Sequence, residues 1–147
     1  MKDFNSKLKS IESDGGEANK CYYPVRLDTY GCGCAHDCCY CYAKSMLDFR
    51  KLWNPQNPSV GDISEISKEI RKLKRGGQTT AIRLGGMTDC FQPIEKLHRV
   101  TYKTIRILNR YKLPYLIVTK SAMVADDEYM AIYDKDLAHI QVTVTTL

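Results

Sequence analysis

An α/β fold with a parallel sheet is predicted by three features of the chain: short apolar runs that alternate with helical patterns, a glycine pair, Gly85-Gly86, where a strand should end, and a soluble composition. With 147 residues, 44% hydrophobic and 27% charged, the chain has the size and balance of one globular domain. Residues 1–19 are polar and end in Asp14-Gly-Gly-Glu17, so they read as a flexible lead-in, and a core domain is expected over 20–147. Tyr22 to Leu27 has the aromatic and β-branched content of a short strand. A cysteine-rich loop follows from Gly31 to Cys41, and Ala43 to Trp53 places Met46, Leu47, Arg50 and Trp53 at helical spacing before Pro55 and Pro58.

Asp62 to Arg75 carries the clearest helical pattern. Asp62 and Glu65 have capping-box spacing, Ile63, Ile66, Ile70 and Leu73 form one stripe, and Gly76-Gly77 stops the helix. A strand from Thr79 to Leu84 runs into Gly85-Gly86, and Pro93 to Arg110 predicts a helix with Leu97, Thr101, Thr104, Ile105 and Leu108 on one face. Tyr115 to Thr119 reads as a buried strand. Asp126, Asp127 and Glu128 open a short helix with favourable charge, and Ile140 to Thr145 closes as a fourth strand. Right-handed crossovers between parallel strands follow from this order. A closed eight-stranded barrel takes roughly 250 residues, so the core domain, with about four β/α units, reads as truncated at its C-terminal side: either the front portion of a longer protein or a minimal version whose missing strands come from elsewhere.

Chemistry concentrates in Tyr30-Gly-Cys-Gly-Cys-Ala-His-Asp-Cys-Cys-Tyr-Cys-Tyr-Ala43. Cys34, Cys38 and Cys41 put three soft thiolates on one short loop, a ligand type that selects iron-sulfur clusters, zinc or copper. Clusters normally take four cysteines, so three leave an iron of a 4Fe-4S cube open, as a catalytic zinc keeps a position open. Zinc is the alternative, with a fourth ligand from Cys21, Cys32, His36 or Cys39. Disulfides fit poorly, because the cysteines number seven and crowd together. The remaining thiols, Cys21, Cys32, Cys39 and Cys90, read as packing or spare residues.

The cysteine loop, with the aromatic Tyr40 before Cys41, resembles the signature of the radical S-adenosylmethionine (SAM) enzymes. The longer string Thr88-Asp-Cys-Phe-Gln-Pro-Ile-Glu95, with Val118-Thr-Lys-Ser121 and Val142-Thr-Val-Thr-Thr146, resembles the spore photoproduct lyase-like branch over about residues 21–147. The resemblance implies a partial radical SAM barrel, a 4Fe-4S cluster on Cys34, Cys38 and Cys41, and reductive cleavage of SAM to a 5'-deoxyadenosyl radical that takes hydrogen from a substrate. It also implies that the turn Gly85-Gly86-Met-Thr88-Asp89 receives the methionyl amino group of SAM, with the acidic residue displaced to Asp89. Lys120 would meet the SAM carboxylate, Thr143 the ribose or methionine, and Tyr40 the adenine through its backbone. The lyase has a hydrogen-donating cysteine where this chain has Gly86, so repair of thymine photoproducts is not expected; Cys90 is the thiol nearest that position and the candidate hydrogen relay.

Partners follow from the same reading. An external low-potential donor of flavodoxin or ferredoxin type would supply the electron, and missing strands would come from a continuation of the chain in a longer protein or from a second chain. Lys68, Arg71, Lys72, Lys74 and Arg75 cluster on one predicted helix, which makes a nucleic acid a candidate substrate; the alternatives are a zinc module with a nucleic-acid-binding helix and an inactive cluster-binding remnant. No apolar run is long enough for a spanning helix or a signal core, so no membrane partner and a cytoplasmic, reducing location are expected.

Overall fold

The computed structural model describes residues 9–10 and 25–144. Its main sheet has the order β1 (Lys9–Ser10), β2 (Val25–Leu27), β5 (Ile82–Leu84), β6 (Tyr115–Thr119) and β7 (Ala138–Val142). The pairs β2/β5, β5/β6 and β6/β7 are parallel, giving a four-stranded parallel unit; β1, which falls in the expected lead-in, adds antiparallel to β2. A separate ribbon pairs β3 (Tyr30–Gly31) with β4 (Ser59–Val60), a contact that no local sequence pattern announced. The helices among the described residues are α1 (Tyr42–Phe49), α2 (Ile63–Arg75), α3 (Glu95–His98), α4 (Val100–Arg110) and α5 (Asp127–Met130), with a 3₁₀ turn at Ala122–Ala125. This is the α/β architecture of a partial radical SAM barrel.

Strand residues alternate between faces. One face, with Val25, Leu27, Ile82, Leu84, Tyr115 and Ile117, packs against Ile66 and Ile70 of α2 and Val100, Ile105 and Leu108 of α4. All of these side chains are buried. Burial of a whole aliphatic or aromatic side chain contributes about 1.5–3 kcal/mol, so this layer carries the crossovers. The opposite face carries Arg26, Arg83, Leu116 and Val118.

Several boundaries differ from expectation, each for a physical reason. The first helix stops at Phe49 instead of reaching Trp53, because Lys51 turns left-handed at φ 56° and the Leu52 amide closes back on the Leu47 carbonyl. The turn lets the Asn54 amide donate to the Cys32 carbonyl at 2.7 Å. It also packs Asn54 so close to Gly33 that a Cβ there would lie 2.0 Å from the Asn54 carbonyl oxygen. In α2 the capping box is half made: Asp62 accepts from the Ser64 amide, while Glu65 pairs with Lys68 at 2.6 Å.

The helix expected over Pro93 to Arg110 is broken at Arg99, which adopts φ 54°. Leu97 is consequently 78% exposed rather than on the buried stripe, whereas Thr101, Thr104, Ile105 and Leu108 are buried as expected. Glu95 explains the break. Its carboxylate accepts from the Thr101 and Tyr102 amides, both at 2.9 Å, and so caps α4 from the preceding turn. The strand expected from Thr79 begins only at Ile82, and the last strand starts at Ala138, two residues before the expected Ile140, and ends at Val142. The expected starts at Tyr22 and of the domain near Cys21, and the expected end at Thr145, lie outside the described residues. No helix among the described residues is long and apolar enough to cross a membrane.

Candidate SAM and cluster site

The C-terminal ends of the parallel strands surround a half-open cleft of about 690 Å³, counting space open to solvent. Ligand sites of parallel α/β folds occupy this end of the sheet. The loop after β3 supplies one wall, with Cys34, Cys38, Tyr40 and Cys41; the turn after β5 supplies Gly85, Gly86, Thr88 and Asp89; the ends of β6 and β7 supply Lys120 and Thr143. Every SAM- or cluster-binding residue expected from the sequence therefore borders one space. Cys90 does not: its side chain is 0% exposed and packs in the hydrophobic core. Burial raises its thiol well above the ordinary range, and the nearby Asp89 and Glu95 carboxylates add to the rise.

Two tight turns shape the cysteine loop. The Asp37 amide donates to the Cys34 carbonyl and the Cys41 amide to the Cys38 carbonyl, both at 3.1 Å. Cys34 is buried, which raises its thiol pKa, while the main chain at Asp89 and His36 acts in the opposite direction. Among the described residues no three His, Cys, Asp or Glu side chains converge as ligands of a single metal ion. A 4Fe-4S cube takes one thiolate per iron, and Cys34, Cys38 and Cys41, which border one cleft, supply that donor type.

Residues absent from the expected site hold the loop in place. Gln92 is fully buried, and its side-chain amide accepts from the Ala35 amide at 3.1 Å and donates to the Gly33 carbonyl at 3.4 Å. It thus grips the main chain on both sides of Cys34. The Thr88 hydroxyl donates to the Tyr30 carbonyl at 2.5 Å. These bonds fasten the cysteine loop to the segment after β5. Buried polar groups demand such partners, but nothing in the local sequence marks Gln92 as buried, so its role emerges only with the fold.

Gly85 has φ 78°, and a Cβ there would stand 3.0 Å from the Thr88 carbonyl oxygen, so the turn requires glycine. Asp28, just past β2, accepts from the Gly86 amide at 2.8 Å and the Met87 amide at 2.9 Å. The acid that serves this turn through its amides therefore arrives from a neighbouring strand. Tyr42 donates its hydroxyl to the Gly86 carbonyl at 2.7 Å, tying α1 to the same turn.

Asp89 spends its carboxylate mainly on the chain itself. Oδ1 accepts from the Phe91 amide at 2.8 Å and the Thr119 hydroxyl at 2.6 Å, and Oδ2 from the Lys120 amide at 2.8 Å. His36 Nε2 stands 3.4 Å from Oδ2, but its geometry makes no hydrogen bond. The Lys120 ammonium lies 5.6 Å above the Tyr40 ring, which is 58% exposed. Thr143 is set by its amide, which donates to the Thr119 carbonyl at 2.9 Å.

No curated protein and no solved structure matches the chain. The family model described as the radical SAM superfamily matches residues 29–147, a span that starts just before β3 and takes in the cysteine loop and every other wall of the cleft, and the chain accordingly belongs to the radical SAM superfamily.

Proposed function

We propose that this chain is the cluster- and SAM-binding part of a radical SAM enzyme of the spore photoproduct lyase-like branch. The observation that carries the reading is that Cys34, Cys38 and Cys41 border the same cleft as Gly85, Gly86, Lys120 and Thr143. The branch assignment rests on the resemblance of the Thr88 to Glu95 string; within the fold, Thr88, Gln92 and Glu95 of that string bond to β3 or to the cysteine loop.

Cys34, Cys38 and Cys41 would hold a 4Fe-4S cluster as thiolates. Bound together, cluster and SAM supply one-electron cleavage of the sulfonium and a radical able to abstract hydrogen. The chain's own residues bind and orient. The Gly86 carbonyl has a second lone pair beside the Tyr42 hydroxyl and would accept the methionyl ammonium. Lys120 would pair with the SAM carboxylate, Thr143 would meet the ribose or methionine, and the main chain at Tyr40 would line the adenine. The electron would come from a flavodoxin- or ferredoxin-type protein. Further strands, from a continuation of this chain or from a second chain, would cover β7, whose Ile140 and Val142 are 40% and 54% exposed.

Thymine photoproduct repair is not part of this reading, since Gly86 stands at the position of the lyase's hydrogen donor and Cys90 is sealed in the core. Anaerobically reconstituted protein with dithionite and SAM is expected to release 5'-deoxyadenosine and methionine, and Cys90→Ala is expected to release the same products. Absence of 5'-deoxyadenosine from the wild-type protein would remove the enzymatic reading; a changed product pattern in Cys90→Ala would restore the thiol as a hydrogen relay.

A further inference from the structure

The strand registers align Arg26 of β2 with Arg83 of β5, Arg83 with Leu116 of β6, and Leu116 with His139 of β7. This row lies on the face opposite the helices, so it faces the interior of the partial barrel. Its two arginines stand on adjacent strands, about 4.8 Å apart in backbone spacing. Like charges so placed repel, and a guanidinium cannot escape by losing its proton.

Arg26 forms one long ion pair, with Asp28, and Arg83 forms none among the described residues. Arg26 Nε and Arg83 Nε are buried and have no hydrogen-bond partner among the described residues. The nearest acid to Arg26 is Asp28, whose Oδ2 is 3.7 Å from Nε, too far for a hydrogen bond, while its Oδ1 is committed to the Gly86 and Met87 amides. Arg83 makes no ion pair among the described residues. Arg83 nevertheless lines the cleft, and the Arg26 stem crosses Gly86, another lining residue, so closely that a Cβ at Gly86 would stand 1.7 Å from Arg26 Cδ. Arg83 lies two residues before Gly85 on the same strand path, roughly 7 Å deeper in the barrel at strand rise. Lys120, at the outer end of β6, is the cation placed for SAM.

We propose that Arg26 and Arg83 form an oxyanion pocket beneath the SAM site, and that the substrate carries a phosphate or carboxylate group seated there. An oxyanion bridging two guanidiniums relieves their repulsion and takes up donors that otherwise have no partner. The inference rests on the reading of the outer cleft as the SAM site, which makes the deeper position the place of the substrate.

The test is calorimetric titration of the reconstituted full chain with sodium phosphate and, separately, sodium acetate at constant ionic strength, alongside the SAM-induced change in the electron paramagnetic resonance of the reduced cluster. Saturable binding of one anion is expected. Arg83→Gln and Arg26→Gln should each weaken it about tenfold or more, the loss of one charge-assisted hydrogen bond, and keep the response to SAM. Preference for phosphate identifies a phosphorylated substrate, and preference for acetate a carboxylate. Binding of neither anion, or equal binding in wild type and both variants, overturns the pocket. So does loss of the SAM response in Arg83→Gln with anion binding intact, which would assign that arginine to SAM. A wild-type protein that binds the anion but does not respond to SAM would instead remove the SAM reading and leave the oxyanion pair standing.

Discussion

Cys38→Ala is expected to lose bound iron and all SAM cleavage while keeping its fold. The position contributes a thiol to the cleft wall and a carbonyl to the Cys41 amide, and alanine removes only the first. With two thiolates left, a cubane would have half its irons without a protein ligand. Cys39→Ala and Cys32→Ala are the matching controls: neither thiol lines the cleft, so both variants should retain iron and activity. Iron analysis and 5'-deoxyadenosine release report the two effects. Retained iron and turnover in Cys38→Ala, or their loss in Cys39→Ala, would refute the assignment of the three ligands.

The second large effect is on stability, at Glu95. This carboxylate is fully buried and accepts four hydrogen bonds: from the Tyr30 hydroxyl, the Tyr129 hydroxyl at 2.7 Å, and the Thr101 and Tyr102 amides at 2.9 Å. It ties β3, α4 and α5 together beneath the cysteine loop. Glu95→Ala strands three buried donors and one partly buried one, and breaking such a site costs about 3–5 kcal/mol, a large share of the usual 5–15 kcal/mol of a domain. The urea midpoint should fall accordingly, and a loss below about 1 kcal/mol would show that water or rearrangement replaces the carboxylate.

The same network sets an alkaline limit. Burial first, then the Glu95 carboxylate, raises the Tyr30 and Tyr129 phenols above their ordinary value of 10.0, and burial raises Tyr115 to about 12. Because the folded values are the higher ones, the unfolded chain loses these protons first. The stabilisation is present below pH about 10 and declines as pH rises toward the folded values. Glu95→Gln removes the carboxylate's part of the shift, so its stability should decline less steeply above pH 10 than that of the wild type.

What could be read from the sequence was what local chemistry dictates. The cysteine spacing, the glycine turn, the stripe of α2 and the run Tyr115 to Thr119 each depend on neighbours in the chain, and the structure reproduces the last of them residue for residue. The break at Arg99 depends on a buried carboxylate finding amides six and seven residues away, which helical periodicity does not encode. Gln92 meets the cysteine loop across more than fifty residues, and Asp28 reaches the glycine turn from another strand. Such closures appear only when the sheet brings the segments together. The arginine pair left a fainter mark: Val25-Arg26-Leu27 and Ile82-Arg83-Leu84 each place a charge between two buried apolar residues. That alternation signals a polar inner face once the strands are known to be neighbours.

Electron paramagnetic resonance of the anaerobically reconstituted, reduced protein, recorded with and without SAM, tests the central claim most directly. A reduced 4Fe-4S signal that shifts when SAM is added is the expected result, since three thiolates leave an iron free to take the cofactor. A cluster signal indifferent to SAM, or zinc in place of iron, would contradict it.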